Sequence, residues 1–260
     1  MKPLRIIKLG GQLLEDTNTI SKIIAQLASL DEACIVIHGG GKRASQLAQQ
    51  LHIQQQIIDG RRITDAPTLE VAIMVYAGLI NKKMVAQLQG QHVNALGLSG
   101  ADLNCIQSIK RPIEPIDYGW VGDTNPALVN GPALKQLLKI HIMPIICSLT
   151  WDGQGQLLNT NADAIAAAVA IALSDHFTVQ LSYCFEKNGV LLNPTDNLSY
   201  LKSITKEDWK QLEKDGIINE GMLPKLTYAF QAAEAGVAVT LGNYELISQP
   251  HKGTLIQIAK

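Results

Sequence analysis

Short apolar runs alternate along this chain with longer stretches in which apolar residues return every three or four positions. Residues 4–9, 33–38, 93–98, 143–149, 177–181, 190–192, 237–241 and 255–258 read as buried strands. Between the first two, Ile20, Ile23, Ile24, Leu27 and Leu30 mark one face of a helix, and Ala44, Leu47, Ala48 and Leu51 mark a shorter one. Pro67 suits the first turn of a long helix, with Thr64 or Asp65 as its cap. Along it Leu69, Ile73, Tyr76, Ile80 and Met84 recur at steps of three and four. Val71, Met74 and Val75 add a second apolar face, so this helix is either buried or at a subunit interface. Residues 164–173 form the most apolar helix, and further helices are predicted at 205–212 and 221–235. Residues 54–64 read as a hairpin or loop, and 107–132, rich in proline and glycine, as irregular structure with short antiparallel strands. The alternation predicts an α/β fold, an open αβα sandwich around a mainly parallel sheet. Residues 1–150 would form one lobe and 151–260 a second, without a long linker.

Two strand ends carry glycine clusters. Lys8-Leu9-Gly10-Gly11 closes the first run and His38-Gly39-Gly40-Gly41 the second. Glycine lets backbone N–H groups approach an anion without a Cβ in the way. The helix that follows each cluster adds free N–H groups and a positive dipole end. Lys8 lies at the carboxyl end of a buried strand, where open α/β sheets bind ligands. Neither cluster is a P-loop or a dinucleotide fingerprint. Phosphoryl transfer needs positive charge and fixed donors around the moving group, and Lys8, Arg62, Lys225 and the glycine N–H groups are the candidates.

Composition narrows the field. Of 260 residues, 47% are hydrophobic and 17% charged, with a net charge of −1, so nothing draws the chain broadly onto nucleic acid or an anionic membrane. The four cysteines share no metal-ligand spacing and read as core residues, which points to a reducing, cytoplasmic setting. The first strand begins close to Met1, leaving no expected signal peptide. No metal site is predicted from protein ligands.

Five segments in order, Ile7-Lys8-Leu9-Gly10-Gly11, His38-Gly39-Gly40-Gly41, Gly60-Arg61-Arg62-Ile63-Thr64, Asn159-Thr160-Asn161-Ala162-Asp163 and Gly221-Met222-Leu223-Pro224-Lys225, resemble the amino acid kinase family, and within it the acylglutamate branch. The resemblance spans nearly the whole chain. It implies ATP-dependent phosphorylation of the γ-carboxylate of N-acetyl-L-glutamate in arginine biosynthesis, with Mg²⁺ carried by the nucleotide. By the same resemblance Lys8 sits against the transferring phosphoryl group, Lys225 against the leaving phosphate oxygens, and Asp163 orients both. Gly11 and Gly40 offer N–H groups to the phosphoryl oxygens. Gly40, Gly41, Arg62 and Asn159 hold the acylglutamate, with Arg62 on a carboxylate. Gly10, Ser182, Asn219, Gly221 and Met222 join Lys8, Gly11 and Lys225 on the nucleotide side. A homodimer through helix 67–89, insensitive to arginine, is expected because the first strand starts too early for an extra N-terminal helix.

The chain departs from the family in two places. Residues 183–189 replace a shorter Asp-Val-x-Gly segment near the adenine, where Tyr183 or Phe185 would either cover the base or belong to the core. Residues 98–104 replace a Gly-Lys-Asp type of turn. The acyl group stays open between acetyl and succinyl, for which Arg61 or Lys42 would supply a second cation. Kinases of aspartate, glutamate, carbamate or a nucleoside monophosphate are the nearer rivals, and a non-catalytic ligand-binding homologue the more distant one. The latter would have lost Lys8, Asp163 or Lys225. His38 has no acid or nucleophile partner by spacing and reads as a turn histidine.

Overall fold

Strand parity sorts the central residues onto two faces. In β1 (Lys2–Leu9), Leu4 and Ile6 point one way and Ile7 and Leu9 the other, all fully buried. The same division runs through β2 (Ala33–His38), where Ile35 and Ile37 join the first face and Cys34 and Val36 the second. A strand buried on both faces must be covered by helices on both. The computed structural model, which describes residues 1–58, 61–218 and 221–258, shows this sandwich.

The remaining strands of the main sheet are β3 (Ala95–Leu98), β4 (Met143–Cys147), β5 (Phe177–Cys184), β6 (Ser203–Ile204), β7 (Ala238–Gly242) and β8 (Thr254–Ile256). Their order is β6-β8-β7-β5-β1-β2-β4-β3. All neighbouring pairs are parallel except β7 with β8. The first half of the chain therefore builds outward from one side of β1 and the second half from the other. The order reverses at β1, which opens a crevice at the carboxyl ends of the strands beside it.

Helices α1 (Thr17–Ala28) and α2 (Gly41–Gln50) and the long helix α3 (66–90) cover one face. The other face carries α4 (Gly131–Lys139), α5 (Ala162–Ser174) and α7 (Leu223–Glu234). Polar α6 (Lys206–Lys214) rides outside with a Thr205–Asp208 capping box. Seven alanines in α5 let it lie close on β1 and β5, and most of it is buried.

Three details differ from the sequence reading. Helix α3, capped by Asp65, is α-helical over Ala66–Ala72 and Asn81–Gly90 but π-helical over Ile73–Ile80. Residues 190–192 form no strand and make only a bridge between Leu191 and Tyr200, because Leu192 is exposed. The run at 143–149 divides into β4 and a strand at Leu149–Trp151, which joins Leu157–Thr160, Val121–Asp123 and Ile109–Lys110 in a small sheet over the crevice. Ile57–Ile58 and Arg61–Arg62 pair as the expected hairpin.

Candidate active site

Lys8 shares the parity of Leu4 and Ile6, so its side chain leaves β1 toward the face covered by α5. There it meets Asp163, the second residue of α5. Asn161 caps that helix, accepting hydrogen bonds from the N–H of Asp163 at 2.7 Å and of Ala164 at 3.2 Å. The carboxylate thus stands at the positive end of the helix dipole. Lys8 Nζ lies 2.7 Å from Asp163 Oδ1, at ion-pair distance but without hydrogen-bond alignment. On the other oxygen, Lys225 Nζ donates to Asp163 Oδ2 at 3.2 Å. Tyr183, fully buried, donates its hydroxyl to the Asp163 carbonyl at 3.0 Å and ties the head of α5 to β5.

Electrostatics follow from burial. Burial alone would raise the Asp163 carboxyl, but Lys8 and Lys225 outweigh it and hold the carboxyl below its usual range. Burial lowers Lys8, the neighbouring Lys225 lowers it further, and Asp163 offsets part of the fall. Lys225 occupies the third position of α7, where the helix dipole disfavours a cation. Asp163 is its compensation within the protein.

The two glycine clusters lie side by side. A Cβ on Gly11 would sit 3.4 Å from Gly40 N and 3.5 Å from Gly41 N. A Cβ on Gly39 would touch Ala162 at the head of α5 at 3.9 Å. Gly11 opens a short 3₁₀ helix and Gly41 opens α2, and the first N–H groups of a helix have no partner inside it. Gly10 differs, since its N–H donates to the Cys184 carbonyl at 2.8 Å and so serves to seat the turn on β5.

Arg62 reaches this turn from the hairpin. Its Nη2 donates to the Gly41 carbonyl at 3.0 Å and to Ser45 Oγ at 2.7 Å, while Nη1 is buried without an acceptor. Asn159 Nδ2 donates to Thr64 Oγ1 at 3.1 Å, and Thr64 Oγ1 donates to the Arg62 carbonyl at 3.1 Å. The small sheet and the hairpin are thereby joined beside Gly41. Arg61 faces away, 3.6 Å from Asp123, which Arg111 holds with two hydrogen bonds.

The structure therefore brings Lys8, Gly11, Gly40, Gly41, Asp163 and Lys225 together, with Arg62 and Asn159 linked to the same turn. Gly221 and Met222 precede α7 at the Lys225 end. Ser182 is fully buried in β5, between Ile7 of β1 and Thr240 of β7. Asn219 and Gly60 lie outside the described residues. Tyr183 and Phe185 are both core residues. His38 is fully buried. Its Nδ1 lies 2.9 Å from the Gly39 carbonyl and Nε2 3.1 Å from Asn81 Nδ2, so the ring donates to the first and accepts from the second. Burial pushes its pKa down to about 4, which leaves a neutral ring that braces the glycine turn.

The sequence reading did not single out Ser45, and it placed Thr64, Tyr76 and Asn161 only as a helix cap, a helix-face residue and a motif member, without a part in the site. Asn161 had a readable signal, an N-cap residue ahead of an apolar helix, and Ser45 stands one helical turn beyond Gly41. Among the described residues no group of His, Cys, Asp and Glu is placed to hold a metal ion, and no helix is long and apolar enough to cross a membrane.

Known proteins are similar to this chain over most of its length. Acetylglutamate kinase of Phocaeicola vulgatus is 45% identical over 254 residues, covering 98% of each chain. Acetylglutamate kinase of Cytophaga hutchinsonii is 46% identical over 239 residues, 92% of this chain and 90% of that one. Among solved structures, smu.665 from Streptococcus mutans UA159 superposes with a TM-score of 0.82 at 26% identity, covering 98% of both chains. Carbamate kinase from Giardia lamblia, at 15% identity and a TM-score of 0.69 over 99% of both chains, shares the fold. The profile of the amino acid kinase family matches residues 3–243, and this chain belongs to that family.

Proposed function

We propose that this protein transfers the γ-phosphoryl group of ATP to the γ-carboxylate of N-acetyl-L-glutamate, the phosphorylation step of arginine biosynthesis. The observation that carries the reading is the Lys8–Asp163–Lys225 bridge beside two abutting glycine turns. Relatives at 44–47% identity bearing the name acetylglutamate kinase support the substrate.

The attacking group is a carboxylate, which needs no base, and the neutral, buried His38 accords with that. The chain's task is alignment and charge neutralisation. Lys8 takes the acceptor side of the moving phosphoryl group and Lys225 the leaving side, with Asp163 holding them apart. The N–H groups of Gly11 and Gly40 receive phosphoryl oxygens. Arg62 presents its unpartnered Nη1 to the remaining carboxylate of the substrate, which a planar guanidinium suits. Asn159 takes the acylamino group, and Gly221 and Met222 flank the nucleotide. The N-terminal lobe would hold the acylglutamate and the C-terminal lobe the nucleotide. Asp163, the only carboxylate in the bridge, is committed to two lysines, so Mg²⁺ would arrive bound to ATP and supply phosphate neutralisation there.

We further propose a homodimer through α3, whose outer face shows Met74 at 49% exposure, acting in the cytoplasm and unaffected by arginine. Light scattering should give twice the chain mass, and a hexamer or clear arginine inhibition would contradict this.

The functional test is a hydroxylamine trap for acyl phosphate, run with ATP and N-acetylglutamate, N-succinylglutamate, glutamate or aspartate. Hydroxamate should form fastest with N-acetylglutamate. No hydroxamate from any acylglutamate would reject the reading.

A further inference from the structure

Arg62 reaches the second glycine turn from the hairpin, and one edge of its fork is already held there. One donor edge is occupied: Nη2 binds the Gly41 carbonyl and Ser45 Oγ. The other amino group, Nη1, is buried and has no acceptor among the described residues. A buried charged donor without an acceptor is costly unless a ligand completes it, so the occupied edge decides where the open one points.

Tyr76 bounds the same place. Its side chain is 3% exposed, and a Cβ on Gly41 would lie 3.7 Å from Arg62 Nη2 and 3.9 Å from the Tyr76 hydroxyl. The hydroxyl and the guanidinium therefore flank one glycine. Burial raises the tyrosine hydroxyl, and the nearby charge of Arg62 offsets part of the rise. The ring edge packs on Gly40, where a Cβ would come within 2.8 Å of Tyr76 Cδ1.

The π-helical stretch explains how Tyr76 gets there. Buried pairs along α3 fall at Val71 and Ala72, Val75 and Tyr76, then Ile80 and Asn81. The last step is five residues rather than four. In a regular α-helix, residues five apart point about 140° away from each other. Inside Ile73–Ile80 the wider turn absorbs the extra residue. Tyr76 and Ile80 then both meet Gly40, while Asn81 reaches the buried His38 behind the same turn.

We propose that Ser45 and Tyr76 are positioning residues that orient the Arg62 guanidinium toward the substrate carboxylate and so set the affinity for the acylglutamate. This rests on the acylglutamate reading above. Neither residue need touch the reacting atoms. Tyr76 acts through its hydroxyl on the guanidinium, and Ser45 through the hydrogen bond to Nη2.

Steady-state kinetics of the full chain test it, with KM measured separately for acylglutamate and ATP. Tyr76→Phe keeps the ring on Gly40 and removes only the hydroxyl. Ser45→Ala removes the acceptor and Ser45→Thr keeps one. Ser45→Ala should raise KM for the acylglutamate about tenfold, as expected for a lost hydrogen bond to a charged group, and Tyr76→Phe should raise it by a smaller factor, both with KM for ATP within twofold of wild type. Ser45→Thr should restore most of the loss. An unchanged acylglutamate KM in Tyr76→Phe and Ser45→Ala would overturn the inference while leaving the kinase reading intact. Equal rises in both KM values with a parallel fall in kcat would also overturn it, since that is the mark of damaged packing. A wild-type protein that turns over no acylglutamate fails the underlying reading, and the inference falls with it.

Discussion

Replacing Asp163 with asparagine keeps the shape of the side chain and removes the one negative charge between a buried lysine, Lys8, and a half-buried one, Lys225. Asp163 and Lys8 are each 7% exposed in their side chains and Lys225 is 20% exposed. At separations of 2.7 and 3.2 Å, each attraction is worth about 5–6 kcal/mol at an effective dielectric near 20. Burial of the three charges and repulsion between the lysines offset most of that. Breaking a buried pair from one side costs about 3–5 kcal/mol. Lys8 has an escape in losing its proton, which from an ordinary lysine value costs at most about 4.6 kcal/mol at pH 7. That ceiling agrees with the pair estimate. Urea unfolding at pH 7 should therefore show Asp163→Asn destabilised by about 3–5 kcal/mol. The deficit should shrink as pH rises toward 10. In the variant the folded state releases the Lys8 proton more readily than the unfolded state, and stability rises with pH wherever the unfolded state binds more protons. Adding Lys8→Met should recover part of the loss. A variant within about 1 kcal/mol of wild type, below the range for a broken buried pair, would refute the reasoning, as would a deficit that grows with pH.

The other predictions are shorter. Lys8→Ala and Lys225→Ala should each lower kcat on the order of a hundredfold or more, the scale of a lost transition-state donor, with near-UV circular dichroism unchanged; near-normal turnover would remove the residue from its assigned role. Protonation of His38, held at about 4 when folded and free to titrate near 6.5 when unfolded, should withdraw stability as pH falls. Between pH 8 and 5 the loss is about 2 kcal/mol, and denaturant midpoints of His38→Gln should lack that part of the slope. Gly40→Ala would place a Cβ 2.5 Å from Ile80 Cδ1 and 2.8 Å from Tyr76 Cδ1. Both belong to one packed helix, so thermal unfolding should drop, by the equivalent of about 1–3 kcal/mol for an overpacked site, and acylglutamate KM should rise.

Much of the fold was legible because β1, β2 and β4 are continuous apolar runs, the signature of strands covered on both sides. Lys8, Gly11 and Gly40 stood out for a related reason: a polar or glycine position at the end of such a run has no packing role. What could not be read is instructive. Residues 190–192 have a strand's composition, but the neighbouring strands are already paired and Leu192 stays in solvent. The π-helical stretch was invisible because Leu69, Ile73, Tyr76 and Ile80 satisfy the α-helical period. Its evidence is the position of Asn81, a polar residue 1% exposed between β4 and His38. Tyr76 therefore looked like a core aromatic. Ser182, a polar residue near a strand end, is a position whose full burial the sequence did not announce.

The central claim is that a substrate carboxylate oxygen attacks the γ-phosphoryl group held at Lys8. It is tested by giving the protein ATP and N-acetylglutamate labelled with ¹⁸O in the γ-carboxylate, trapping the product with hydroxylamine, and weighing the released phosphate by mass spectrometry. Attack by the carboxylate leaves a labelled oxygen bridging carbon and phosphorus. Hydroxylamine then attacks the acyl carbon and that oxygen departs with the phosphate. One ¹⁸O is expected in each phosphate released with the hydroxamate. Unlabelled phosphate, the product of simple ATP hydrolysis, would contradict it.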